Sequence, residues 1–98
     1  MEKIVRDGKV AVAVSGGFGA GWSTWNGINP MDARFNQLFL DGKIKEIKRI
    51  CEEEELGYAG GADDVCIEWI PVGTKFVIEE YDGSESLNEI DDYNWLTA

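Results

Sequence analysis

A short segment rich in glycine and tryptophan constrains this chain more than any other. It has the sequence SGGFGAGWSTWN, residues 15–26, and it follows an apolar run at residues 10–14 that predicts a buried strand. Glycine is favoured where the backbone needs a positive φ or where another group must approach it closely. Four of the six residues from 16 to 21 are glycine, which is more than a simple turn requires. The loop is therefore expected to lie against a ligand or against neighbouring elements of the protein itself.

Length and charge limit the classes of protein to consider. The chain has 98 residues, of which 44% are hydrophobic and 11% aromatic, which predicts one folded domain over residues 1–98. Nineteen acidic residues against nine basic ones give a net charge of −10. Such a surface repels phosphate backbones and anionic lipid, so direct binding to nucleic acid or to a membrane is not expected. A basic protein partner, a cation or simple solubility fits this charge.

The residues that most enzymes use for acid, base or metal chemistry are scarce here. The chain has no histidine, which removes the usual general base and the usual zinc ligand. Cys51 and Cys66 lie in apolar-patterned segments without CxxC spacing, so buried free thiols in a reducing compartment are expected. No signal-peptide pattern opens the chain and no apolar run approaches membrane-spanning length. We therefore predict a cytoplasmic protein that is not an enzyme and needs no cofactor.

Turn signals and hydrophobic periodicity predict an α+β fold. Asp7-Gly8 predicts a first hairpin, and alternating valine and alanine at residues 10–14 predict that a helix packs closely on the alanine face. Asn29 and Pro30 are typical of a helix start. The predicted elements are strands at 4–6 and 9–14, helices at 30–40 and 43–56, and strands at 65–70, 75–81 and 93–96. The fold class is a small antiparallel or mixed sheet in ββααβββ order with two helices packed on one face.

Several finer expectations accompany this reading of the chain. Residues 65–70 and 75–81 are expected to pair as a hairpin, which would make Glu68 and Glu79 cross-strand neighbours. Residues 85–92 are expected to form a polar tail.

The glycine-tryptophan loop is the first candidate binding site. Its backbone N–H groups could form an anion-binding nest, the indoles could stack on a base, and hydroxyl or guanidinium groups could donate to phosphate. It does not match the dinucleotide fingerprint, because the third glycine comes one position early. The alternative is that the glycines let the loop wrap tightly while the tryptophans fill the core. The candidate ligand-binding residues are Gly17, Gly19, Gly21, Trp22, Ser23, Thr24, Trp25 and Arg34.

Acidic side chains form the second candidate site, for a basic partner protein. They lie in a run at the end of the second predicted helix and in a second glycine-rich loop. A solvated surface is the simpler interpretation of both, and the spacing of the two aspartates matches no calcium-binding loop, so no metal is expected. The candidate partner-binding residues are Glu52, Glu53, Glu54, Glu55, Asp63 and Asp64.

Several blocks together resemble a family of small proteins associated with bacteriophages and prophages. The blocks are GFGAGWSTW at 17–25, GGADDVCIEW at 60–69, GTKF at 73–76, EYDGSE at 80–85 and the last seven residues. The family has no established activity, so the resemblance implies no catalytic residues. It implies a single cytoplasmic domain of viral origin, and by analogy an accessory protein that binds a host factor.

Three functional hypotheses follow from these observations. In the first, the glycine-tryptophan loop binds a small nucleotide-like ligand and sequesters a host defence signal. In the second, the acidic surface binds and inhibits a basic, nucleic-acid-binding host defence protein. In the third, the chain is a homo-oligomeric module that uses Trp95 and strand edges at its interface.

Overall fold

A computed structural model describes residues 2–90 of the chain. It confirms a single α+β domain and adds a short third helix, in the order β-β-α-α-α-β-β-β. The strands are β1 (Val5–Arg6), β2 (Lys9–Ser15), β3 (Val65–Pro71), β4 (Phe76–Tyr81) and β5 (Ser84–Glu89). The helices are α1 (Ser23–Asn26), α2 (Ala33–Leu40) and α3 (Ile44–Glu53), and a 3-10 helix spans Gly60–Asp64. The strand predicted at residues 93–96 lies outside the described residues.

Strand β2 is the centre of the fold and is buried on both faces. It lies between β1 and β3 in an antiparallel three-stranded sheet, while β4 and β5 form a separate antiparallel pair. Ala13 packs into the apolar cluster formed with α2 and α3, whereas Val12 and Val14 pack into a second cluster with β4 and β5. The prediction that small residues face the helices is therefore confirmed, and the fold has three layers: helices, sheet and β4–β5 hairpin.

Helix α2 starts three residues later than the Asn29-Pro30 signal predicts. The carboxylate of Asp32 accepts hydrogen bonds from the backbone N–H groups of Arg34 at 2.8 Å and Phe35 at 3.4 Å, so Asp32 is the N-cap. Asn29 instead accepts from the N–H of Met31 at 2.9 Å, in the turn that precedes the helix. The prediction was wrong because the aspartate side chain satisfies helix N–H groups that would otherwise have no partner.

Helix α3 buries the apolar stripe that its sequence predicts. Ile47, Ile50 and Cys51 are buried, and Ile44 packs beside them against Trp22 and the aromatic side chains of α2. The helix ends at Glu53, before the end of the predicted span. No helix within residues 2–90 is long and apolar enough to cross a membrane.

The strand pairing differs from the expectation for the second half of the chain. Strand β3 pairs with β2, and β4 pairs with β5, so the predicted hairpin of β3 with β4 was wrong. Glu68 lies opposite Val12 and Glu79 opposite Ser86, not opposite each other. The reason is the two-residue Asp82-Gly83 turn, in which both φ angles are positive (49° and 86°). That geometry matches the twist of an antiparallel pair of strands. Residues that were expected to belong to a polar tail therefore form strand β5.

Candidate binding face

The glycine-tryptophan loop folds around a carboxylate of the protein itself. Glu85, on β5, is only 4% exposed. Its Oε1 accepts a hydrogen bond from the backbone N–H of Ser15 at 2.9 Å. Its Oε2 accepts from the N–H groups of Trp22 and Thr24, each at 3.0 Å, and from the Thr24 hydroxyl at 2.6 Å. The loop N–H groups predicted to bind an anion thus bind the Glu85 carboxylate.

Glu85 serves as the N-terminal cap of α1 from a distant strand. Trp22 occupies the N-cap position and its own side chain makes no capping hydrogen bond. The first N–H groups of a helix have no partner within the helix, and a negative charge placed there is favourable. Charge-assisted hydrogen bonds of this kind are stronger than neutral ones. The β4–β5 hairpin therefore holds the loop and its four-residue helix in place.

The two glycine-rich segments of the chain pack directly against each other. The buried Ser15 hydroxyl donates to the carbonyl of Ala20 and, at 3.3 Å, to that of Gly61. A Cβ on Gly61 would collide with the carbonyl oxygen of Ala20, so the two backbones meet without a side chain between them. Tyr58, from the same second segment, donates its hydroxyl to the carbonyl of Gly19 at 3.2 Å. The first loop therefore lies against neighbouring elements of the protein.

Trp22 belongs to the core. Its side chain is fully buried and makes edge contacts with Phe35 and Phe39, at ring-centroid distances of 5.6 and 5.1 Å. Its indole Nε1 has no hydrogen-bond partner within the described residues. An edge-to-face aromatic cluster of this kind joins the loop to α2. Stacking of the Trp22 ring on a ligand would require the core to open.

Trp25 is presented at the surface and held there. It is 41% exposed, and its indole Nε1 donates to Oε1 of Glu80 at 2.9 Å. Its ring lies across Gly21, where an added Cβ would be 2.6 Å from Trp25 Cγ. Tyr58 lies beside it, with ring centroids 5.5 Å apart and an interplanar angle of 55°. Position 21 therefore requires glycine, because any side chain there would collide with the indole ring.

A second pair of exposed aromatic rings is carried by the same loop and by the β4–β5 hairpin. Phe18 and Tyr81 are 74% and 72% exposed and touch edge to face, with ring centroids 6.4 Å apart. The N–H of Gly19 donates to the carbonyl of Asp82, which ties the loop bearing Phe18 to the hairpin turn after Tyr81. We call the surface formed by these four side chains the aromatic face: Phe18, Trp25, Tyr58 and Tyr81. Clusters of exposed aromatic side chains are typical of protein contact sites.

Acidic residues predominate in the segments that build the aromatic face. The three segments that build it, residues 16–27, 57–64 and 79–86, contain six acidic residues and neither lysine nor arginine. All nine basic residues of the chain lie outside these segments. Apart from Glu85, the six are exposed; they are Asp63, Asp64, Glu79, Glu80, Asp82 and Glu85. Lys48, on α3, forms an ion pair with Asp63, with Nζ 2.6 Å from Oδ2.

The structure separates the predicted ligand-binding residues. Within the loop, the Thr24 hydroxyl binds Glu85 and the Ser23 side chain is buried. Gly17 lies close to Asp64, so that an added Cβ would be 2.9 Å from the Asp64 side chain. Arg34, by contrast, lies on α2 and pairs with Glu54. Sequence reasoning did not select Phe18, Tyr58, Glu80, Tyr81 or Glu85. Of these five, only Phe18 could have been selected from the sequence, because it lies inside the glycine-rich run of the loop.

The acidic run at the end of α3 is partly neutralised within the fold. Glu53 pairs with Arg49 at 2.6 Å, and Glu54 pairs with Arg34, whose hydrogen bonds hold the pKa of the Glu54 carboxyl below its usual range. Glu52 and Glu55 are exposed. Exposed ion pairs contribute little to stability, but they remove charge that a partner would otherwise meet.

Comparisons with protein-family models, with curated protein sequences and with solved structures gave no match. Within residues 2–90 no three histidine, cysteine, aspartate or glutamate side chains come together as a metal site. Both cysteines are free thiols, but only Cys51 is buried; the expectation of burial was wrong for Cys66, which is exposed on β3.

Proposed function

We propose that this chain is a binding protein, without enzymatic activity, whose aromatic face contacts a basic partner protein. The observation that carries the proposal is the exposure of two aromatic pairs, Phe18–Tyr81 and Trp25–Tyr58, on segments that also carry exposed carboxylates. Tyrosine and tryptophan dominate the energetics of protein interfaces because large rigid rings bury much area at little entropic cost. A group of exposed rings leaves apolar area in contact with water, and a partner that covers this area gains the free energy of burying it.

Charge specifies the kind of partner. The segments around the aromatic face carry acidic residues and no basic ones, and the whole chain has a net charge of −10. Such a field attracts a basic surface, speeds its association and repels nucleic acid. This supports the second hypothesis, with the contact surface moved from the acidic run of α3 to the aromatic face. Binding and inhibition of a basic host defence protein in the cytoplasm remain part of the proposal through the phage resemblance.

The nucleotide-ligand hypothesis stays a prediction and ranks below this one. A phosphate at the loop N–H groups would have to displace the Glu85 carboxylate. The open cleft beside the loop, of about 580 Å³, is lined by Asp64, Glu68 and Cys66, so it would repel a phosphate. The homo-oligomer hypothesis also stays a prediction, since Trp95 lies outside the described residues.

Affinity capture from cell extract with paired variants tests the proposal. The immobilised bait would be the wild-type chain, a Phe18→Ser/Tyr81→Ser double variant, or a Val72→Ser control, in which a 61% exposed residue elsewhere is changed. We expect one basic protein to bind the wild type and the control, not the double variant, and binding to weaken as salt increases. Equal capture by the double variant, or capture that is insensitive to salt, would contradict the proposal.

A further inference from the structure

Within the aromatic face, the geometry points to a subsite for a single arginine side chain of the partner, formed by Trp25, Tyr58 and Glu80. This inference rests on the proposed function and names the chemistry that the partner must present. The three side chains come from the three segments that meet at the face, and two contacts join them: the Trp25–Glu80 hydrogen bond and the Trp25–Tyr58 ring contact.

The rings of this subsite are held in position before any partner binds. The indole of Trp25 is held by its hydrogen bond to Glu80 and by close packing of its ring against the Gly21 backbone. Tyr58 is held by its hydroxyl, which donates to the carbonyl of Gly19 at 3.2 Å. Rings that are already fixed lose little conformational entropy when a ligand arrives, which favours affinity.

Glu80 supplies a charge that is available to a ligand. Its Oε1 accepts from Trp25 Nε1 at 2.9 Å and from the backbone N–H of Gly83 at 3.1 Å. Within residues 2–90 Oε2 has no hydrogen-bond donor and Glu80 has no ion-pair partner. The three segments that form the face contribute neither lysine nor arginine. A partner cation would therefore meet an indole face and an uncompensated carboxylate side by side.

Arginine satisfies both features of the subsite at once. A guanidinium is planar, stacks on aromatic rings and still directs the N–H groups at its edge towards a carboxylate beside the ring. An ammonium group is more strongly hydrated and cannot stack, so lysine uses only one of the two features well. Neutral side chains leave the charge of Glu80 unmatched.

The test follows the indole N–H signal of Trp25 by NMR while N-acetyl-arginine amide or N-acetyl-lysine amide is added to the full chain. Trp25→Phe assigns the signal. We expect a saturable shift with the arginine compound and affinity at least about threefold weaker for the lysine compound, because its ammonium group is more strongly hydrated and loses the planar stacking contact. Glu80→Gln keeps an oxygen acceptor for the indole and removes the charge, and should weaken binding about three- to tenfold. Glu89→Gln, on the exposed part of β5, should leave it unchanged.

Three results would overturn the inference: no saturable shift, equal affinity for both compounds, or unchanged affinity in Glu80→Gln. The capture experiment separates this failure from failure of the proposed function. If a basic protein binds the wild type but not the Phe18→Ser/Tyr81→Ser variant while the arginine compound has no effect, the partner surface stands and the arginine subsite falls.

Discussion

The Oε1 atom of Glu85 accepts a hydrogen bond at 2.9 Å from the backbone N–H of Ser15, which lies 70 residues earlier in the chain. The other carboxylate oxygen binds the N–H groups of the helix that the glycine loop enters. One buried side chain therefore joins the central strand, the glycine-tryptophan loop and the β4–β5 hairpin. Because Phe18 and Trp25 lie in that loop and Tyr81 in that hairpin, Glu85 also holds the aromatic face together.

Removal of the Glu85 carboxylate should destabilise the fold. Glu85→Ala leaves the buried N–H groups of Ser15 and Trp22 without a partner, at a cost of about 2 kcal/mol or more in the free energy of unfolding. Urea denaturation measures the change. Glu89→Ala, an exposed glutamate on the same strand, should change stability by less than about 0.5 kcal/mol. Equal effects of the two substitutions would contradict the anchoring role of Glu85.

The two loop tryptophans should differ sharply in their contribution to stability. Trp22→Leu removes contacts with Phe35 and Phe39 in the core and should cost about 3 kcal/mol, whereas Trp25→Leu should cost less than about half of that. Acrylamide quenching offers an independent measurement, because the loss of Trp25 should lower the accessible fraction of the fluorescence, whereas the loss of the buried Trp22 should not. Similar destabilisation by both substitutions would show that Trp25 is also a core residue.

A buried amide should link α2 to the central strand. Asn36 is 1% exposed and donates from Nδ2 to the carbonyls of Ala11 at 3.1 Å and Pro30 at 2.9 Å. Asn36→Leu breaks both bonds and leaves those oxygens undersatisfied, which should lower the free energy of unfolding by about 2 kcal/mol. Gln37→Leu changes an exposed amide on the same helix and serves as the control. Thermal denaturation that ranks the two substitutions in the opposite order would refute this link.

The two thiols should react at very different rates. Cys51 is 1% exposed, and its burial raises the pKa of the thiol, so little thiolate forms at neutral pH. Cys66 is exposed. Ellman's reagent should therefore modify one thiol quickly in the native protein and the second only after denaturation. Cys66→Ser should abolish the fast phase, and its persistence in that variant would place the reactive thiol at Cys51.

The Arg34–Glu54 ion pair should be visible in the titration of Glu54. The hydrogen bonds from Arg34 lower the pKa of this carboxyl in the folded state, so the pair stabilises the fold above the unfolded-state pKa of glutamate. That contribution is lost as the pH falls through the lower, folded-state pKa. It should be small because both side chains are about half exposed. Carboxyl NMR should show the Glu54 pKa rise in Arg34→Gln, and an unchanged value would exclude the pair in solution.

The local elements of this fold could be predicted because their signals lie within a few residues of one another. Asp7-Gly8 specifies a two-residue turn, and the isoleucines of α3 recur at helical spacing. Strand β5 was missed because Leu87 is its only large apolar residue, so the sequence shows little alternation of apolar and polar residues there. The start of α2 was misplaced because Asn29 and Asp32, three residues apart, are both suitable N-cap residues.

Patterns within the sequence were sufficient to predict the α+β class, the two amphipathic helices and the alanine face of β2, and they singled out the glycine-tryptophan loop. Three features could be read only from the folded chain: Trp22 is buried while Trp25 is exposed, β3 pairs with β2, and Glu85 binds the loop N–H groups. The difference lies in the sequence separation of the interacting groups. Periodicity and turn chemistry act between near neighbours, whereas a carboxylate far along the chain and rings from three separate segments meet only when the whole chain has folded.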